Sequence, residues 1–273
     1  MAVSNLVSRV GTAVVGIPAL LALLYLCPAW GFYVLIALGV CIGGYELFSM
    51  THPLDRVSRV AGVVLCLVVS LCLYLWGDAP LVMVTLLLGI PVVSMFLVLW
   101  RLGDLKTAAL RMMAFGFGAL YLGVGLTSLA LLRKDVGGYD GAGFVVLAVG
   151  LAWGSDTGGY FAGRYLGKHK LYEAVSPKKT VEGSFGGVLA AVAISVVACF
   201  SFLRVLPLAH AVVLGVVGAL LGQLGDLGES VLKRSTGVKD SGSLLPGHGG
   251  ILDRVDALVV TSVIVYLYVR WVG

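Results

Sequence analysis

The chain has 273 residues, of which 59% are hydrophobic and only 12% are charged. Soluble globular proteins carry about 25% charged residues, so this composition excludes that class and indicates a protein that is solvated by lipid. The formal net charge of +5 is typical of basic cytoplasmic loops in a membrane protein, and we expect no nucleic-acid partner. Apolar runs recur from Gly11 to Trp271, unlike the single run of a signal peptide, so we expect the N-terminus to be retained.

Apolar runs also predict the fold class. A helix needs about 20 apolar residues to cross a bilayer core of about 30 Å. We therefore predict an all-α integral membrane protein, a polytopic bundle of about nine transmembrane helices. The predicted spans lie near residues 11–27, 31–50, 60–77, 81–100, 112–132, 143–163, 185–203, 208–228 and 255–271. The five cysteines lie in or beside these runs without metal-ligand spacing, so we expect free thiols and neither disulfides nor a zinc site.

Lysine and arginine residues predict the orientation. With the N-terminus in the cytoplasm, all 19 of them fall in cytoplasmic segments except Arg133, Lys134, Arg204 and Arg270. Cytoplasmic loops of membrane proteins are enriched in these residues. We therefore expect a cytoplasmic N-terminus and a C-terminus on the other side of the cell membrane.

We predict a single membrane domain, residues 1–273, with two unlike parts. Residues 1–150 have short loops and nearly featureless spans, apart from Glu46 near the cytoplasmic end of the second span, and we expect mainly structural helices there. Residues 151–273 contain two polar stretches, 154–182 and 226–256, which the charge distribution places in the cytoplasm. Function is expected in this second part, with the active site facing the cytoplasm.

The first polar stretch combines an acidic residue with a basic segment. Asp156 follows an apolar run, where an ionised carboxylate is costly unless it is paired or functional. Lys178 and Lys179 follow a proline and precede Thr180, and cations beside free backbone amides suit phosphate groups. A basic loop that only sets topology is the alternative. Close helix packing explains the neighbouring glycines as well as ligand binding does, namely Gly154, Gly158 and Gly159.

The second polar stretch places carboxylates at the membrane boundary. Helical spacing puts one mixed polar stripe on the eighth span, formed by Asp226, Glu229, Ser230 and Lys233. Asp253 and Asp256 are three residues apart and face the same way on a helical turn, although Asp253 could instead be an N-cap. Aspartate oxygens together with substrate phosphates are what Mg²⁺ prefers. The residue set suits phosphoryl or nucleotidyl transfer, which needs positioning, metal and cations rather than a protein nucleophile.

A family resemblance rests on the same residues. From Ser230 the chain reads Ser-Val-Leu-Lys-Arg, then Lys-Asp-Ser-Gly, then Leu-Pro-Gly-His-Gly-Gly-Ile-Leu-Asp-Arg-Val-Asp, ending at Asp256. This segment resembles the signature of the phosphatidate cytidylyltransferases, also called CDP-diglyceride synthases. The earlier Ser-Asp-Thr-Gly-Gly-Tyr and Ser-Pro-Lys-Lys-Thr-Val-Glu-Gly segments are similar to that family in order and spacing. Before residue 150 the likeness is limited to hydropathy and Glu46.

The resemblance implies an activity and a site. It implies a Mg²⁺-dependent homodimer that condenses CTP with phosphatidate to CDP-diacylglycerol and pyrophosphate in phospholipid biosynthesis, in some members with a second, monovalent cation. The implied metal and catalytic residues are Asp226, Asp253 and Asp256, with Lys233 as a further catalytic candidate. The implied substrate contacts are Asp156, Ser176, Lys178, Lys179, Thr180, Arg234, Lys239 and His248.

Two other functions fit parts of the pattern. A CTP-dependent lipid kinase of the polyprenol or dolichol type shares the nucleotide and the membrane location but transfers the γ-phosphate. An ion-coupled transporter would use Asp156 and Asp226 as ion ligands near the bilayer midplane. The clustering of polar residues on one side of the membrane argues against transport.

Overall fold

The structure, a computed structural model, describes residue 16 and residues 18–242 and 249–272. Residues 18–26 are helical. The helices that follow are α1 Ala29–Thr51, α2 Arg56–Trp76, α3 Pro80–Trp100, α4 Leu105–Val136, α5 Gly138–Leu166, α6 Val181–Ser201, α7 Leu208–Ser235 and α8 Leu252–Trp271. An antiparallel hairpin lies between α5 and α6, with strands β1 Lys170–Tyr172 and β2 Ser176–Thr180.

Local sequence explains where several helices begin. Asp55 caps α2, because its carboxylate accepts hydrogen bonds from the amides of Val57 and Ser58 at 3.1 and 3.3 Å. Asp104 and Thr180 cap α4 and α6 in the same manner. Side-chain oxygens at these positions satisfy backbone donors that have no partner within the helix.

Six helices in the described part of the chain are long and apolar enough to cross a membrane: α1, α2, α3, α4, α6 and α7. The prediction of an all-α membrane protein is confirmed at this level. Helices also occupy the remaining predicted positions, but α5 carries Asp156 and α8 carries Asp253 and Asp256, and neither is among the six. Nine spans and a cytoplasmic N-terminus therefore stay predictions.

Two local features depart from the predicted pattern of regular helices and loops. The basic segment forms β2, whose Pro177 is tolerated because both strands of a two-stranded sheet are edges. In α4, the stretches Ala119–Val124 and Leu132–Val136 are π-helical. Such wider turns often occur at functional sites, and the first of them carries Tyr121, which contacts α8.

Glycines bring α5 and α6 into close contact. A Cβ atom at Gly158 would lie 2.8 Å from the carbonyl oxygen of Gly186, and one at Gly154 would overlap the side chain of Ile194. Small residues let helix backbones approach in this way. The packing explanation of these glycines is confirmed, and the close approach sets the two helices that flank the hairpin side by side.

Candidate active site

A cavity of about 370 Å³ lies between α5, the hairpin, α6 and α7. Its lining includes the predicted residues Asp156, Lys178, Lys179, Thr180 and Asp226. Arg164 also lines it and donates a 2.7 Å hydrogen bond to the hydroxyl of Tyr160. A larger cavity of about 720 Å³, at the ends of α1 to α4, is lined by none of the predicted site residues. The smaller cavity is therefore the candidate site.

An ion pair links the hairpin to α7 inside this cavity. The ammonium group of Lys179 contacts the carboxylate of Asp226. The two side chains are 26% and 22% exposed, so the pair faces the cavity and not the packed core. Partly exposed ion pairs contribute little to stability. Breaking this pair to bind a charged ligand therefore costs little free energy.

Carboxylates from two further helices, α5 and α8, lie near Asp226 of this pair. Asp256 of α8 is only 8% exposed, and its carboxylate accepts a 2.7 Å hydrogen bond from the amide of Ala257. Asp226 and Asp156 lie close enough to repel it electrostatically. Negative charge concentrated at a low-dielectric boundary favours a bound cation.

A second cluster joins α7 to the start of α8. The ammonium group of Lys233 lies 2.7 Å from Asp253 Oδ1 and also contacts Glu229. Asp253 further accepts hydrogen bonds from the amides of Gly250 at 2.9 Å and Ser241 at 3.1 Å. Ile251 is the N-cap residue of α8, so the alternative that Asp253 is an N-cap is wrong. Asp253 instead binds both sides of the segment that precedes α8.

The donor chemistry fits Mg²⁺ with help from a substrate. No group of three or more acidic, histidine or cysteine side chains in the described ranges could hold a metal alone. Mg²⁺ commonly binds through one or two carboxylates, with waters and substrate phosphates completing its shell. Asp226 and Asp256 provide such oxygens near each other. Asp253 already has Lys233 and two backbone amides as partners, so it would have to release at least Lys233 to bind metal.

The other predicted residues have different surroundings. The side chain of Thr180 caps α6 by accepting a 3.1 Å hydrogen bond from the amide of Gly183. Arg234 donates a 3.5 Å hydrogen bond to the carbonyl oxygen of Val175 in the hairpin turn. Ser176 begins β2 outside the cavity lining, and Lys239 is exposed after α7. His248 lies outside the described residues.

The sequence analysis did not identify Gln223, which lines the cavity and links three helices around it. The amide nitrogen of Gln223 donates to Ser155 Oγ at 3.3 Å and to the carbonyl oxygen of Ser184 at 3.2 Å. Gln223 lies three residues before Asp226, and this helical spacing was the available signal. The link fixes α5, α6 and α7 around the carboxylates.

The chain matches the cytidylyltransferase family over residues 7–272. A protein named phosphatidate cytidylyltransferase from Brucella suis is 36% identical over 274 residues, covering 97% of this chain and 93% of the relative. One of the same name from Synechocystis is 32% identical over 288 residues, covering 96% and 95%. The match to a Staphylococcus haemolyticus relative of that name is 41% identical over 139 residues, about half of each chain at 51% and 52%.

Two of these matches extend over nearly the whole chain and include α1 to α4 as well as the polar stretches. The likeness is therefore broader than the signature near the C-terminus. This chain belongs to the cytidylyltransferase family.

Proposed function

We propose that this protein is a phosphatidate cytidylyltransferase, which condenses CTP with phosphatidate to give CDP-diacylglycerol and pyrophosphate. The observation that carries the proposal is the pairing of Lys179 with Asp226 in a cavity at the ends of membrane helices. Lysines suit the triphosphate, carboxylates suit its metal ion, and the location suits a lipid substrate. The names of the relatives that match over the whole chain support the same reaction.

The reaction needs no strong base from the protein. The second pKa of a phosphate monoester is about 6, so phosphatidate is largely a dianion at neutral pH. One of its phosphate oxygens attacks the α-phosphorus of CTP in line with the departing group. A new P–O bond forms, the bond from the α-phosphorus to the bridging oxygen breaks, and pyrophosphate leaves with that electron pair. Lys178, Lys179 and Arg164 are the cations of the cavity that would neutralise the phosphates.

Mg²⁺, when bound, supplies charge neutralisation and orientation of the CTP phosphates. Asp226 and Asp256 are the proposed ligands, with Asp253 as a third that first has to release Lys233. A monovalent cation beside Mg²⁺ remains part of the proposal from the family resemblance.

The ion pairs indicate how the free site prepares for substrate. Asp226 is paired with Lys179, and Asp253 is paired with Lys233, so two of the three proposed metal ligands are each neutralised by a lysine. In the free site, each of these two carboxylates therefore has a cationic partner, which limits the cost of burying its charge. On CTP binding, Lys179 and Lys233 would exchange their carboxylate partners for phosphate oxygens, and Asp226 and Asp253 would then be free to hold a metal ion.

The proposal includes a location and an assembly. We place the protein in the cell membrane with the cavity facing the cytoplasm, because the hairpin and the ends of α5 and α7 carry most of the basic residues of the second half. We also propose a homodimer, from the family resemblance alone. Chemical cross-linking in native membranes tests the dimer.

The decisive experiment follows two radiolabels of CTP. Purified protein receives phosphatidate, a polyprenol, Mg²⁺ and CTP labelled at either the α- or the γ-phosphorus. We expect the α label to enter the lipid fraction as CDP-diacylglycerol and the γ label to appear in pyrophosphate. Entry of the γ label into lipid would instead identify a CTP-dependent lipid kinase, and labelled lipid from neither substrate would overturn both reactions.

A further inference from the structure

Glu46, a buried carboxylate in the first part of the chain, lies beside residues of the second part. Glu46 is on α1 and is only 7% exposed. Burying a carboxylate in a membrane helix is costly unless hydrogen bonds compensate the charge. The partners of this residue therefore indicate its purpose.

Both oxygens of Glu46 bind residues on the two sides of the connection between α7 and α8. Oε1 accepts a 3.1 Å hydrogen bond from the amide of Ile251, and Oε2 accepts one of 2.8 Å from the amide of Leu252. Oε2 also accepts a 3.3 Å hydrogen bond from the hydroxyl of Ser241. Ser241 precedes the connecting segment and Ile251 follows it, so one carboxylate holds both of its sides.

Glycines allow this close approach. A Cβ atom at Gly242 would lie 2.6 Å from Glu46 Oε1, and one at Gly250 would lie 2.5 Å from Oε2. Any other residue at either position would displace the carboxylate or the segment. The contact therefore depends on the carboxylate of α1 and on the absence of a side chain at both glycines.

The contact also completes the start of α8. The N-cap residue Ile251 makes no side-chain capping bond, and the first amides of a helix have no partner within the helix. Glu46 supplies that partner from a distant part of the sequence, and its negative charge suits the positive end of the helix dipole. Asp253 lies in the first turn of α8 and Asp256 in the next, so the orientation of this helix end places both carboxylates.

A second bond from the N-terminal half reaches the same turns. The hydroxyl of Tyr121, in the π-helical stretch of α4, donates a 2.9 Å hydrogen bond to the carbonyl oxygen of Asp256. The start of α8 is thus fixed from α1 and from α4. We expected mainly structural helices before residue 150. That expectation did not include these contacts with the start of α8.

We infer that Glu46 is a positioning residue for cytidylyl transfer: it caps α8 from α1 and binds both sides of the α7–α8 connection, and so fixes Asp253 beside Lys233 and Asp256 near Asp226. The inference rests on the proposed function for its catalytic consequence. The contact itself can be measured independently of turnover.

The test compares Glu46→Ala and Glu46→Gln with wild type by amide hydrogen exchange and steady-state kinetics. In Glu46→Ala we expect faster exchange in peptides covering residues 249–256 and unchanged exchange in α2. Because a misplacement of about 1 Å can cost about 100-fold in rate, we expect kcat to fall by about 10- to 100-fold with a smaller change in KM for CTP. Glu46→Gln keeps one acceptor oxygen and should be intermediate in both measurements.

Two further variants keep the test independent of folding. Ser49→Ala lies on the same helix and removes a hydroxyl that has no hydrogen-bond partner among the described residues, so exchange and turnover should match wild type. Gly242→Ala leaves Glu46 intact but pushes its carboxylate away, and it should reproduce the faster exchange and lower kcat of Glu46→Ala.

The possible failures are distinguishable. Unchanged exchange at residues 249–256 in a folded Glu46→Ala protein would overturn the inference, as would faster exchange throughout the helices or wild-type kcat. If wild type itself makes no CDP-diacylglycerol, the proposed function fails while the exchange data still decide whether Glu46 holds α8.

Discussion

Lys179 of the hairpin and Asp226 of α7 form an ion pair inside the cavity, although 47 residues separate them in the chain. One partner is a proposed phosphate contact and the other a proposed metal ligand. A lysine so placed competes with a metal ion for the carboxylate while the nucleotide is absent. The two roles can therefore be separated by experiment.

Replacing Lys179 by Ala should have opposite effects on nucleotide and metal. We expect kcat/KM for CTP to fall by about 10- to 100-fold, because a charge-assisted contact worth about 1.5–3 kcal/mol is lost. Affinity for Mn²⁺ without CTP, measured by electron paramagnetic resonance, should rise because Asp226 loses its competing cation.

Lys178→Ala is the matched control. Lys178 lines the same cavity, and no ion pair of it is found among the described residues. We expect it to weaken CTP use without raising Mn²⁺ affinity. Normal kinetics in both variants would return these lysines to a role in topology alone, and equal Mn²⁺ affinity in wild type and Lys179→Ala would contradict the competition.

Neutralising the aspartates tests the metal assignment. Asp226→Asn and Asp253→Asn preserve side-chain shape and one acceptor oxygen but remove the charge. We expect turnover to fall by at least about 100-fold in each, because an electrostatic contribution of a few kcal/mol is lost at the reacting phosphates. Thermal unfolding and detergent-solubilised size should stay close to wild type.

The Asp253 variant separates two roles of that residue. If Asp253 only organises the segment before α8, Asn can still accept from the amide of Gly250, and raising the Mg²⁺ concentration should not change its turnover. If Asp253 binds metal, added Mg²⁺ should recover part of the activity. Near-normal turnover of both aspartate variants at all Mg²⁺ concentrations would rule out the metal assignment.

The sequence predicted the helices better than the contacts between them. Long apolar runs indicate helices such as α2 and α6 directly, because the lipid core requires about 20 apolar residues. Polar site residues dilute this signal in α5 and α8, and neither helix is among the six that are apolar enough to cross a membrane. The hairpin has neither alternation nor a typical turn pair, and β2 contains a proline and no large apolar residue, so nothing in its sequence predicts a strand.

The candidate residues were predictable from local motifs, but their partners were not. Helical spacing placed Asp226 and Lys233 on one stripe. It could not indicate that Lys179 faces Asp226, or that Glu46 binds amides 205 and 206 residues away. Such long-range contacts depend on how helices pack, which periodicity within one helix does not determine.

The membrane topology can be tested at two exposed positions. Glu173 lies in the hairpin turn and Trp271 at the end of α8. In a background without the native cysteines, we introduce Glu173→Cys or Trp271→Cys and label intact cells with a membrane-impermeant maleimide. With nine spans, Trp271→Cys should react from outside and Glu173→Cys only after the membrane is opened. Labelling of both from the same side would contradict the nine-span topology.

His52 should make stability depend on pH. The side chain follows α1 and is only 2% exposed. The Thr51 hydroxyl donates to the carbonyl oxygen of Leu47, so His52 Nδ1 must be the donor in its 2.9 Å bond to Thr51. The other nitrogen, Nε2, has no partner among the described residues. A proton added there would be buried without an acceptor.

Burial, and then the positive charge of Arg111, lower the pKa of His52 from 6.5 to about 4. Asp55 opposes this shift and Arg59 adds to it. A base whose pKa is lower in the folded state binds a proton more readily when unfolded, so stability is complete above about pH 6.5 and is lost as pH falls toward 4. At pH 5 the loss relative to pH 7 should be about 2 kcal/mol.

Thermal unfolding of the detergent-solubilised protein at pH 7, 6 and 5 measures this effect. We expect the wild-type midpoint to fall steadily over that range. His52→Gln places a neutral amide at the same position, so its midpoint should be lower at pH 7 but should fall much less toward pH 5. A glutamine side chain does not gain a proton between pH 7 and pH 5. An equal fall in wild type and His52→Gln would therefore assign the pH dependence to other groups.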